Sequence, residues 1–188
     1  LKNKKTDILD SLDLTYSLQK EEYKYTPLLK NVEKKFDLLQ ENKDQISQKS
    51  YEEVAKFVNS KFYLISVDGY FKSELSNIPP KVKIKKYSEL EREEKDTFEN
   101  MYQKHDDSKS DFFSSLNSII HEDCLTISVD SNTVLKEHIT IININENYDV
   151  NNYRKMIFCE KGSEISIFER FINLKSDENF SSSVTEIY

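Results

Sequence analysis

The chain has 188 residues with 27 basic and 34 acidic side chains, a net charge of −7 and a mean hydropathy of −0.70. Eleven Phe and eleven Tyr are ample for a core and exclude a wholly disordered chain, since disordered segments are poor in aromatics. No apolar run approaches the ~20 residues of a membrane span, and the acidic balance lacks the basic footprint of a general nucleic-acid binder.

Of the 27 basic residues 24 are lysine, and glycine occurs only twice. With plentiful Asn, Ile, Tyr and Phe, this is the drift an AT-rich genome imposes, so the lysines read mostly as solubilising surface. Cys124 and Cys159 are too few for a disulfide framework; one bridge fits the count, but a reducing compartment is the simpler reading. No apolar stretch follows a charged start in the manner of a secretory signal, and the first residue is Leu rather than Met.

In chain order, the first 60 residues read as helical. Thr26 and Pro27 suit an N-cap and first helical position, and Leu28, Leu29, Val32, Phe36 and Leu39 then recur at helical spacing. A polar connector from Glu41 to Ser50 leads to a Tyr51–Val58 segment whose type the pattern leaves open. Phe62–Val67 is rich in β-formers, and Asp68-Gly69 is the favoured pair for a type I′ turn, so a hairpin is predicted near 62–71. After Pro79-Pro80, Lys81–Lys85 alternates as a short strand does. Ser88 with Glu91 predicts a capping box for a helix to about Tyr102, strongly charged and therefore solvated. A second helix follows Asp111, with Phe112, Phe113, Leu116, Ile119 and Ile120 on one side. From Cys124 onward, short β-rich runs at 125–129, 139–144, 156–159, 165–172 and 184–187 predict an all-β region. Their spacing suits a solenoid or a sandwich equally well.

Candidate chemistry is thin. His121 and Cys124 stand three apart, but His105, His138 and Cys159 do not complete a ligand set at matching spacing. Cys159, beside Phe158, reads as a small hydrophobe; Lys161 alone gives little support for a reactive thiol. Neighbouring carboxylates such as Glu52-Glu53, Glu93-Glu94 and Asp106-Asp107 diverge on a helix and make poor acid–base dyads. With two glycines there is no phosphate-cradling loop. Tyr23 and Tyr25, flanking Lys24, read as packing residues.

Taken in order, these segments resemble the SufD branch of the SufB/SufD family of iron–sulfur cluster assembly. The run Glu21-Glu22-Tyr23-Lys24-Tyr25-Thr26-Pro27-Leu28 is similar to that branch's opening signature, with Tyr23 where Trp is usual. Val67-Asp68-Gly69-Tyr70-Phe71, then Glu74-Leu75-Ser76 and Pro79, resembles the next shared segment. Leu116, Asn117, Glu122, Asp123, Ile127 and Val129 fall in register with a third; Cys124 stands where Gly is usual and His121 where an apolar residue is common. Ile139–Ile142, Glu164–Glu169 and Val184-Thr185-Glu186-Ile187 resemble later strands. SufB shares the later segments, but the opening run belongs to SufD, and the Cys cluster of many SufB proteins is missing from this sequence.

The resemblance implies a mixed α and β, mainly β fold: a mainly helical region at 1–122 with the hairpin, then at 123–188 the start of a right-handed parallel β-helix. It implies a chain that stops part-way through that β-helix, ahead of the helices that dock the ATPase SufC. It further implies a non-catalytic scaffold with SufB and SufC as partners, neither nucleic acid nor membrane being one. No catalytic, cofactor or metal residue is implied here, and an iron–sulfur cluster would form transiently on the assembled complex. The compartment would be a bacterial cytoplasm or a plastid. A polysaccharide-acting or carbohydrate-binding β-helix or sandwich is the rival, on the strand pattern alone; a family member without the partner role is a third.

Overall fold

A computed structural model describes residues 47–102, 104, 112–121, 123–147, 150–174 and 179–188. The helix expected after Thr26, the Tyr23–Tyr25 run, His105 and Asp106-Asp107 lie outside these residues.

Two four-stranded mixed sheets make up most of the described chain. The strands are β1 (Phe62–Val67), β2 (Tyr70–Phe71), β3 (Val82–Lys86), β4 (Leu125–Val129), β5 (Ile139–Asn145), β6 (Val150–Cys159), β7 (Ile167–Asn173) and β8 (Phe180–Ile187). The helices are α1 (Gln48–Phe57), α2 (Arg92–Met101) and α3 (Phe112–Ile120). One sheet has the order β2-β1-β5-β7 and the other β3-β4-β6-β8. Among the described strands, β2 on β1 and β3 on β4 pair antiparallel and the other strand pairs are parallel. From β4 to β8 the chain visits the two sheets alternately, and each strand pairs with the one two places on. Leu125 lies opposite Lys155 and Val150 opposite Phe180, both thirty residues apart, and Ile139 lies opposite Ile167, twenty-eight apart. Strands on both sides of residue 122 thus share the same sheets.

Strand alternation explains the near-continuous apolar run of β5. Ile139 and Ile141 join Phe62, Leu64, Ile127 and Ile157 between the sheets, while Ile142 and Ile144 meet Val54 of α1 on the outer side. A strand covered on both faces has no polar side to show. The open Tyr51–Val58 segment is helical for the same reason: Val54, Phe57 and Val58 cover this outer face.

The hairpin forms as its turn residues require. Asp68 and Gly69 have φ of 52° and 86°, and a Cβ on Gly69 would lie 2.9 Å from the Asn152 carbonyl oxygen. The Asp68 carboxylate accepts from the Glu146 and Asn147 backbone amides at 2.7 and 3.2 Å, tying the turn to the end of β5.

Two helix readings need correction. The cap of α2 is Glu91 with Glu94, whose carboxylate accepts from the Glu91 amide at 2.9 Å; Ser88 instead donates to Asp123. Residues 87–89 form a separate 3-10 turn and Leu90 is extended, so the helix starts one turn later than Ser88 would set it. Nor is α2 solvated all round, because Phe98, Leu90 and Tyr102 are buried against Cys124 and Met156 on the outer face of the second sheet. On α3 it is Ser115, Asn117 and Ser118 that are fully buried, and Phe113, Leu116, Ile119 and Ile120 stay half-buried. The polar side turns inward because Asn117 donates to the Ser182 carbonyl at 3.2 Å and Ser118 takes a guanidinium bond from Arg154 at 2.9 Å.

Candidate functional site

β7 and β8 are the outermost strands of their sheets, each hydrogen-bonded to one neighbour among the described residues. Their side chains alternate between half-buried and exposed, unlike the covered β5. Phe168 is 59% exposed, Phe171 48% and Ile187 65%. Neither strand contains proline, and the charges along them are Glu169, Arg170 and Glu186. Among the described residues no strand pairs with the far side of either, where a further strand of the same sheet can add.

Two charged clusters hold this edge to the rest of the molecule. Between the sheets, Lys155 of β6 pairs with Glu169 of β7 at 2.6 Å and donates to Ser183 of β8 at 2.9 Å, while Asn143 of β5 donates to Glu169 at 2.6 Å. Burial pulls the Lys155 ammonium below its ordinary pKa, against the pull of Glu169. On the outer face, the wholly buried Arg154 pairs with Glu186 of β8, bonds Ser118 and lies 4.8 Å from the centre of the Tyr102 ring. Tyr188 reaches back from the end of β8, its hydroxyl within hydrogen-bond reach of both the Met101 carbonyl and the Glu186 carboxylate, which fastens the strand to the end of α2.

Beside these contacts, a cavity of about 460 Å³ lies between α2 and the second sheet. Leu90, Phe98, Met101, Phe158 and Tyr188 line its apolar part, and Lys85 and Glu94, paired at 2.8 Å, mark its rim. The hydrogen bond from Lys85 holds the Glu94 carboxyl below the ordinary carboxylate range.

The residues weighed from sequence do not converge. His121 is buried, its Nδ1 2.9 Å from the Asn117 carbonyl, and its ring lies 6.0 Å from Tyr102. Cys124 is fully buried in the cluster with Tyr102 and Met156, and burial pushes its thiol far above the ordinary range. His138 packs its ring 5.1 Å from Phe168 in the first sheet, and half-buried Cys159 borders the cavity under α2. Glu53 pairs with Lys56 on α1, and Glu94 serves the α2 cap. No group of three or more His, Cys, Asp or Glu that could hold a metal occurs among the described residues. Of the residues that tie these strands in, Arg154 and Lys155 were not singled out in the sequence, and Glu169 and Glu186 entered only as parts of strands in the resemblance. One signal was available: Glu169 shares the strand parity of Ile165, Ile167 and Phe171, so an inward carboxylate needing a partner was readable.

Mixed two-sheet packing with parallel ladders defines a β-rich domain. Residues 10–141 match the family described as SufBD protein N-terminal region, and the chain belongs to that family, which takes part in SUF iron–sulfur cluster assembly. The match runs over β1 to β4 and into β5. No curated protein matches the chain. Among the described residues no helix is long and apolar enough to cross a membrane.

Proposed function

We propose that the chain serves as a non-catalytic scaffold of the SufD type, working with SufB and the ATPase SufC in the SUF complex. The observation that carries this reading is the family match over residues 10–141. The SufD assignment draws support from the Glu21–Leu28 run and from a chain with two cysteines. The strand ladder at offsets of 28 and 30 residues favours a parallel β-helix, in which each coil contributes one strand to each sheet. SufB pairs with this protein through the β-helix. The iron–sulfur cluster is cargo formed on the assembled complex in a bacterial cytoplasm or plastid, and ATP hydrolysis belongs to SufC.

The test is co-expression of the tagged protein with SufB and SufC of the same organism, followed by affinity capture and gel filtration. Co-elution with SufB is expected; a tagged protein that is folded by circular dichroism yet elutes without either partner ends this reading.

A further inference from the structure

The space between the sheets contains a small cavity of about 20 Å³, lined by Ser66 of β1, Asn143 of β5 and Lys155 of β6, by Phe71 and Leu125, and by the charged Lys86 and Asp123. The first three of these are buried: Ser66 is 5% exposed, Asn143 1% and Lys155 3%. Their hydrogen bonding is incomplete in complementary ways. The Asn143 amide nitrogen donates to Glu169 at 2.6 Å, which fixes the amide's orientation, because an ionised carboxylate can only accept. Its oxygen, Oδ1, is then a buried acceptor with no partner. The Lys155 ammonium donates to Glu169 at 2.6 Å and Ser183 at 2.9 Å, and an ammonium has a third donor to place.

We infer that this cavity is a built site for a single water molecule, which accepts from Lys155 Nζ, donates to Asn143 Oδ1 and bonds the Ser66 hydroxyl. The volume suits that occupant: a buried water needs roughly 10–15 Å³ of such space and 2–4 polar partners. A larger ligand does not fit this volume. The water completes the shell of a charged group that the sheets enclose, so that Lys155 and Glu169 remain an ion pair where coil meets coil.

The test uses the full 188-residue chain labelled for NMR. Water-to-protein cross-relaxation is read at the Asn143 side-chain amide, where a bound water gives a long-lived cross-peak. Ser66→Ala keeps the cavity and removes the exchangeable hydroxyl, so the peak persists in it. Ser66→Val fills the space with methyls; the peak vanishes and the urea midpoint falls, because a bonded water has been displaced and Asn143 Oδ1 left bare. Loss of the peak in Ser66→Ala, or a urea midpoint that rises in Ser66→Val as a dry void is filled, overturns the inference.

Discussion

The space between the two sheets has two halves built on opposite principles. At one end Phe62, Leu64, Ile127, Ile139, Ile141 and Ile157 pack as a continuous apolar cluster. Towards the C-terminal ends of β1 and β5 the inward residues become Ser66, Asn143, Tyr153 and Lys155, joined by Glu169 and Ser183 of the edge strands. Apolar packing is non-directional, so the first half contributes most of the stability yet tolerates any side chain of the right size. Charged hydrogen bonds are directional, and a slip of one residue turns every side chain of a strand to the other face. The polar half therefore sets register: Lys155 of β6 meets Glu169 of β7 and Ser183 of β8 in only one alignment.

Substitutions can break this division. Arg154→Leu is expected to have the largest effect, a loss of about 3–5 kcal/mol in urea unfolding, because it strands Glu186 beneath α2 and α3. Ile141→Ala, fully in the apolar half, is expected to cost about 2–4 kcal/mol by leaving a cavity. The paired change Lys155→Met with Glu169→Leu sharpens the contrast. Overall stability is expected to stay within about 1 kcal/mol, since replacing a buried ion pair by apolar groups is often neutral. The double variant should nonetheless show doubled or broadened β7 and β8 amide signals in its NMR spectrum, as register loosens. A single sharp set would show that the ion pair does not choose the alignment.

The smallest effect is a titration. Burial and a hydrogen bond to Glu99 push the Tyr87 phenol up to about 12 from its usual 10. The folded state thus favours the protonated phenol: this contribution is complete below pH 10 and is lost as pH rises through about 12. An ultraviolet difference titration of wild type against Tyr87→Phe should place the missing phenolate near pH 12, and a step near pH 10 would contradict it.

Much of the local structure was legible because the signals are local. Asp68-Gly69 marked its turn, and the alternation of Lys81–Lys85 and the run at 139–144 marked β3 and β5. What escaped was set by distant partners. Lys155 looked like one of many surface lysines until β7 brought Glu169 over it. The buried polar side of α3 depends on Arg154, thirty-six residues on from Ser118. The ladder itself left no repeat in the sequence, because opposite positions differ in chemistry: Leu125 faces Lys155 and Ile141 faces Glu169. The candidate edge was invisible for the same reason, since only the pairing reveals which strands lie outermost.

Hydrogen–deuterium exchange, recorded on the protein alone and then with SufB present, tests the account most directly. Alone, the amides of β5 and β6, bonded on both sides, should exchange slowest, while outward-facing amides of β7 and β8 exchange quickly. With SufB present, protection should rise within the β4–β8 ladder. Edge strands already as slow as β5 and β6 would contradict this strand order, and a ladder that SufB leaves wholly unprotected would contradict the partner reading.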